Sequence, residues 1–200
     1  ICEGLVGSEM CIRDSHGVIR AGDVQRMSAG TGIMHSEINE SEQACRLLQI
    51  WIEPSQQGLP PAYEQRKIAL TKQQWIPVLD PNDHTAMAVA RPIQLWRLQL
   101  AQGESIQLPG LGSPMAWIQL LNGDISISSE TTASPSELHR GDGLGFRPNQ
   151  ARFSRIQSLS NQTDLLLFGL SEYEQFWYIR PKLFAVSNAI KRALIKFLAG

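Results

Sequence analysis

Met27 to Glu37 reads MSAGTGIMHSE and sets an imidazole, His35, two residues from a carboxylate, Glu37, behind a glycine-rich stretch. In a β-strand residues i and i+2 project to the same face, so His35 and Glu37 would point together while Ser36 points away. An imidazole nitrogen and a carboxylate oxygen can then share one divalent ion, as in non-haem iron sites built from His and carboxylate ligands. Two ligands are half a site, and three or four are needed. Taken alone, an H-x-E triplet is as readily a hydrogen-bonded structural histidine. Gly30 and Gly32 read as backbone enablers for a tight turn or close packing before the ligand strand. They do not form a phosphate loop, because the third glycine and the strand-to-helix context of a dinucleotide site are missing.

The remaining histidines supply no obvious partner. His16 precedes Gly17 in what reads as a turn, His84 ends the loop-like run DPNDH, and His139 stands just before Arg140-Gly141-Asp142. His84 and His139 are expected to be solvated loop residues, since neither belongs to a spaced ligand pair. No serine, cysteine or lysine lies in a nucleophile motif such as GxSxG, so covalent catalysis has no support.

The elements that must position His35 and Glu37 read as strands. LLQIWI, Leu47 to Ile52, is a short apolar run closed by Pro54. Ser55 to Pro61 is a connector, broken by Gly58, Pro60 and Pro61, ahead of Tyr63-Glu64-Gln65-Arg66. Short strands are then expected over Ile93 to Leu100, Ser105 to Leu108, Ala116 to Leu121, Ile125 to Ser128 and Leu165 to Leu170. Asn122-Gly123-Asp124 predicts a tight turn joining paired strands. A weak internal repeat, Ala21-Gly22-Asp23 against Arg140-Gly141-Asp142, points to two copies of one β unit. In the second copy the ligand strand would fall near Ala151 to Ile156, which has no His or Glu, so that unit is expected to hold no metal. Val186, Ala189, Ile190, Ala193, Leu194, Phe197 and Leu198 recur at helical spacing with Lys191, Arg192 and Lys196 among them, which predicts a C-terminal amphipathic helix. Such a helix would pack on the barrel, or bind a membrane surface or partner through its basic flanks.

Composition narrows the class. With 42% hydrophobic and 18% charged residues over 200 positions, the chain can bury a core. A formal net charge of -1 argues against a broad nucleic-acid footprint, so no direct nucleic-acid partner is expected. Cys2, Cys11 and Cys45 make neither a disulfide framework nor a CxxC pair, which fits a reducing, cytoplasmic setting. No run of about 18 apolar residues is present, so no transmembrane segment is expected. No signal peptide is recognisable at the N-terminus.

GDVQRMSAGTGIMHSEIN, followed by LLQIWIEPSQQGLPPAYEQR, resembles the pirin family of the cupin superfamily, and the later NGDISI and LLLFGL resemble its second domain. The resemblance runs from about His16 to about Leu170. It implies an all-β fold of tandem cupin (jelly-roll-type) β-barrels, one mononuclear metal in the first barrel, usually iron, and usually none in the second. The family's metal set is three His and one Glu; its last His and its Glu fall on His35 and Glu37. The other two histidines come from an H-x-H pair on an earlier strand, and this chain has no H-x-H. Tyr63, Glu64 and Arg66 match a family segment in which packing or a salt bridge is as open a role as substrate contact.

The resemblance also implies an organisation. Residues 1–15 show no clear strand pattern, and SEMCIRDS resembles a translated sequencing-adapter remnant. Native sequence is therefore expected to start between Arg13 and His16, after a lost segment bearing the H-x-H; a diverged N-terminus that lost its ligands is the alternative. Residues 16–80 would be an incomplete first cupin domain and linker, 81–172 the second domain and 173–200 the helical tail. By resemblance, the complete protein would be an iron-dependent quercetin 2,3-dioxygenase acting on a flavonol-like aromatic substrate. Glu37 would then be both a metal ligand and a candidate catalytic base. The competing expectation is a non-catalytic, redox-responsive iron protein that meets a protein partner. This chain itself is expected to be inactive and to retain iron weakly, since two ligands leave an ion mostly hydrated.

Overall fold

A computed structural model describes residues 8–12, 15–33, 35, 37–39, 46–129, 136–151, 153–171 and 193–199. Cys2, Cys45 and the helical pattern from Val186 to Arg192 lie outside them. Among the described residues the chain is almost wholly β, with one single-turn helix. They divide into two compact units, one drawn from 1–69, 89–91 and 177–200, the other from 70–88 and 92–176.

The first unit opens with β1 (Ser8–Ile12), β2 (Ser15–Ile19), β3 (Asp23–Ser28), β4 (Glu37–Asn39), β5 (Arg46–Ile52) and β6 (Ala62–Lys67). β1 pairs antiparallel with β2 on one side and β4 on the other. Two expectations change here. The segment read as patternless contains a strand, β1, and His16 sits within β2 opposite Cys11 and not in a turn. Ser-Glu-Met-Cys-Ile has no clean apolar alternation, so its ladder partners on both sides, rather than its own propensity, define it as a strand.

The second unit holds β7 (Ile76–Leu79), β8 (Gln94–Ala101), β9 (Ser105–Gln107), β10 (Met115–Asn122), β11 (Ile125–Ser129), β12 (Ser136–Leu138), β13 (Gly143–Phe146), α1 (Pro148–Ala151), β14 (Phe153–Ser158) and β15 (Gln162–Leu170). They form two antiparallel sheets in the orders β13-β10-β15-β8-β7 and β12-β11-β14-β9. Alternate residues of both sheets meet in one apolar core. Trp96, Leu98 and Leu100 of β8, Ala116, Ile118 and Leu120 of β10 and Leu165 and Leu167 of β15 pack with Ile125, Ile127, Leu138 and Ile156 of the other sheet. This is the period-2 pattern of a β-sandwich.

Each expected strand of this unit is present, yet the Asn122-Gly123-Asp124 turn does not close a hairpin. β10 and β11 belong to different sheets, so the turn carries the chain across the sandwich. Gly123 has φ +80°, as such a turn requires, but the turn is fastened to the loop before β15. Asn122 Nδ2 donates to the Gln162 carbonyl at 3.2 Å, and the Asp124 N–H donates to Ser160 Oγ at 2.9 Å. A Cβ on Gly123 would stand 2.6 Å from the Gln162 carbonyl oxygen. The turn chemistry was legible, but its partner strand depends on contacts some forty residues away.

On the other face of the five-stranded sheet, Arg97 and Asp164 make a buried bidentate pair, Nε to Oδ1 at 2.9 Å and Nη2 to Oδ2 at 2.5 Å. Gln99 Nε2 donates to the same carboxylate at 3.1 Å. β8 and β15 are therefore buried on both faces, one side apolar and the other built round an ion pair.

The last strand is β16 (Ala193–Ala199), which corrects the helix expectation over its described part. It lies between β5 and β3 in a sheet of order β5-β16-β3-β6. The apolar spacing over 186–198 fits a helix, but Ile195 and Phe197 are also strand formers, and ladders on both edges outweigh local periodicity.

Trp117 marks a close approach within the second unit. A Cβ on Gly143 would meet Trp117 Cζ2 at 2.2 Å, so the indole occupies the space a side chain of β13 would need. Gly143→Ala is expected to destabilise the chain by about 1–3 kcal/mol through overpacking, whereas Gly110→Ala, with open space around it, should change stability by less than about 0.5 kcal/mol. Urea unfolding of the two variants checks this; equal effects would contradict the packing assignment.

Candidate metal centre

The path to His35 starts at a turn. The Asp23 N–H donates to the Arg20 carbonyl at 2.9 Å, while Asp23 Oδ2 accepts the Arg20 N–H at 2.9 Å, with Gly22 at φ +86°. The same device recurs in the second unit. The Asp142 N–H donates to the His139 carbonyl at 2.9 Å, Asp142 Oδ2 accepts the His139 N–H at 2.8 Å, and Gly141 has φ +94°. The Gly-Asp repeat seen in the sequence is thus one turn used twice, with Gly supplying the positive φ at no steric cost. His35 lies twelve residues beyond Asp23, and the same offset from Asp142 falls on Ser154; Glu37 corresponds to Ile156, fully buried in the apolar core.

From that turn β3 runs between β16 and β6 and ends at Ser28. The next loop is tightly built. The Gly32 N–H donates to the Ala29 carbonyl at 2.8 Å, and Gly30 (φ +54°) rests against the proline connector, where a Cβ would come 2.2 Å from the Leu59 carbonyl oxygen and 2.7 Å from Pro61 N. The MSAGTGI and GLPPAYEQR segments therefore meet in space. His35 is an exposed residue ahead of β4, and Glu37 opens β4 opposite Met10. The ladder begins at Glu37, so the two candidate ligands straddle the start of a strand. Of Glu37 only the backbone is described.

The structure gives the Tyr-Glu-Gln-Arg segment a role that its residue types alone left open. In β6, paired with β3, Tyr63 and Gln65 share a face with Asp23 and Gln25. Gln25 Nε2 donates to Tyr63 Oη at 2.9 Å, Tyr63 Oη donates to Gln65 Oε1 at 2.7 Å, and Gln65 Nε2 donates at 2.9 Å to both Asp23 Oδ2 and the Val18 carbonyl. Burial pushes the Tyr63 phenol above its ordinary value; the Gln25 hydrogen bond opposes this and the Asp23 charge adds to it. The hydroxyl accordingly remains a proton donor at neutral pH. On the opposite face Glu64 bridges Arg26 at 3.3 Å and Arg66 at 2.5 Å. Glu64 and Arg66 thus fill the salt-bridge role. Asp23, Gln25 and Gln65 carry no signal of their own in the sequence, though D-x-Q in one strand and Y-x-Q in another hold the alternation that joins them.

The other histidines stand apart. His84 is exposed in its loop, as expected, beside Asp83, whose carboxyl is held below the usual range by hydrogen bonds from the Thr85 hydroxyl and N–H. His139 is exposed but paired, Nδ1 to Asp124 Oδ1 at 2.9 Å. Its pKa is raised chiefly by that hydrogen bond, while hydrogen bonds from Ser160 and His139 lower that of Asp124. Among the described residues no three His, Cys, Asp or Glu side chains gather round a common point that could hold an ion. His84 and His139 belong to the second unit, so the first unit has two histidines, His16 and His35. A three-His, one-Glu set does not fit these residues. No helix among the described residues is long and apolar enough to cross a membrane.

Comparison with known proteins agrees with this architecture. Residues 5–52 match the pirin family and residues 79–170 match the quercetinase C-terminal cupin domain. Over 154 residues the chain is 35% identical to the quercetin 2,3-dioxygenase of Escherichia coli K12, covering 76% of this chain and 62% of that protein. It is 32% identical over 159 residues to a putative quercetin 2,3-dioxygenase of Pasteurella multocida, covering 78% and 64%. The chain thus spans less than two thirds of the length of these relatives. Among solved structures, the bacterial pirin YhhW of E. coli in complex with nickel(II) is similar at 30% identity and a TM-score of 0.67, over 84% of this chain and 69% of that one. The two β units are therefore of the cupin β-sandwich type.

Two outcomes are expected. Gly30→Ala should cost about 1–3 kcal/mol, since it combines a positive φ with contact against a backbone that cannot move aside; a neutral effect in thermal unfolding would contradict the packing of loop on connector. For the Asp124–His139 pair, Asp124's contribution is present above the ordinary carboxylate value and lost as pH falls through its lowered one. His139's contribution is present below 6.5 and lost as pH rises through its raised value. An NMR titration should place the His139 midpoint above 6.5, moving back toward 6.5 in Asp124→Asn; a wild-type midpoint at or below 6.5 would contradict the pairing.

Proposed function

We propose that this chain, which belongs to the pirin family, carries on His35 and Glu37 the second half of the divalent-metal site of a flavonol-cleaving dioxygenase, with iron as the metal. The observation that supports this most is the assembly around β3. The Gly-Asp turn, the Gly30 loop and the proline connector lead the chain to His35 and Glu37 at the start of β4, while in the second unit the offset matching Glu37 carries the buried Ile156. The relatives named as quercetin 2,3-dioxygenases support a planar, oxygen-rich aromatic as the substrate class.

Among the described residues no set of three donors gathers for that chemistry. With one imidazole and one carboxylate, an ion keeps most of its water and exchanges freely. What the chain's own residues supply is placement. Tyr63, Gln65 and Gln25 lock β6 to β3, Asp23 fixes the turn, and Glu37 is the carboxylate to accept a proton from a substrate hydroxyl.

Oxygen consumption with quercetin and added Fe(II) tests the reading. The 200-residue chain is expected to show no turnover. A longer product of the same gene that supplies an H-x-H pair ahead of β2 is expected to turn over, and to lose about 100-fold or more in rate on His35→Ala. Full activity of the longer protein without His35 would overturn the assignment.

A further inference from the structure

We infer that the position between β3 and β5 is a strand-binding slot, filled here by the chain's own C-terminal strand and able to take that same segment as a separate peptide. Sheet order points there first. β3 and β5 lie close in sequence yet do not pair; β16, from the far end of the chain, is laddered to both. Met27, Leu194 and Trp51 stand in one cross-strand row, and Gln25, Lys196 and Gln49 in another. Withdrawing β16 would leave two rows of backbone N–H and C=O groups unpaired, one on each side of the gap. Among the described residues β5 is the edge strand of this sheet, with β16 as its ladder neighbour.

Local and tertiary preference also conflict in this segment. The apolar positions of 186–198 repeat at helical spacing, yet Ala193–Ala199 is extended. Its conformation is set by the slot and not by its own propensity, which marks it as a ligand more than a template. Third, the second unit has an apolar core of its own, built from β8, β10, β11, β14 and β15 with Leu138 and Phe146. Occupancy of the slot is accordingly expected to act on the ladders of the first unit. It bears directly on β3, which leads into the Gly30 loop and His35.

Hydrogen exchange followed by mass spectrometry, on the full chain and on a chain lacking residues 193–200, tests this. In the shortened chain the amides of β3 and β5 should exchange about 100-fold faster, with β8, β10 and β15 unchanged. Adding the peptide ALIKFLAG should restore protection, while the same peptide with proline in place of its isoleucine, which cannot donate within a central strand, should not. Full-length Ile195→Pro should reproduce the loss. Unchanged exchange in β3 and β5, failure of ALIKFLAG to restore protection, equal rescue by the proline peptide, or parallel loss in β8, β10 and β15 would each overturn the inference.

Discussion

Everything in the first unit that leads to His35 hangs on the pairing of β3 with β6. The ladder brings Asp23–Ser28 alongside Ala62–Lys67, and with them two sequence segments that otherwise have nothing to do with each other. Once it is in place, Gly30 falls against Leu59 to Pro61, and the absence of a side chain there lets the loop turn toward β4. The ladder's two faces are stabilised differently. One carries a chain of hydrogen bonds from Gln25 through Tyr63 and Gln65 to the Asp23 carboxylate; the other carries Glu64 between two guanidinium groups. The hydrogen-bonded chain matters more for geometry, because its amides and hydroxyl are directional donors and acceptors, whereas the partly exposed ion pairs are screened by solvent.

The two units use one turn for opposite ends. Arg20 to Asp23 and His139 to Asp142 share the same reciprocal backbone and carboxylate hydrogen bonds, so the strand after each begins in the same way. Their downstream chemistry diverges. Beyond the first turn come an imidazole and a carboxylate; at the matching offsets beyond the second come Ser154 and Ile156, the latter packed among Leu, Ile and Phe side chains. A sandwich interior holds either a polar site or a close-packed apolar core, and the second unit is of the packed kind. The other face of its five-stranded sheet buries the Arg97–Asp164–Gln99 cluster beside Leu95, Leu166 and Phe168, and there the carboxylate is matched by a bidentate guanidinium.

Much of this was legible because strands β5, β8, β10, β11 and β15 are short apolar or alternating runs bounded by turn residues, and because Gly-Asp twice announces the same turn. Three features were not. β1 lacks alternation and exists through its neighbours; β16 carries a helical spacing that a two-sided ladder overrides; and Asn122-Gly123 signals a turn without saying which sheet receives the next strand. Each turns on long-range pairing, which leaves little trace in a local window. The Tyr63 network is hidden for a related reason: Gln is an ordinary surface residue until a strand partner places a hydroxyl and a carboxylate opposite it.

His35 and Glu37 as the metal-facing part of this chain is the claim most open to a direct measurement. Titrating Ni(II) into the protein while following the ring signals of its four histidines by NMR provides it, since a paramagnetic ion broadens what it touches. Weak binding should broaden His35 first and leave His84 and His139 sharp, with the effect lost in His35→Ala. Broadening that begins at another histidine, or binding that survives His35→Ala unchanged, would contradict it.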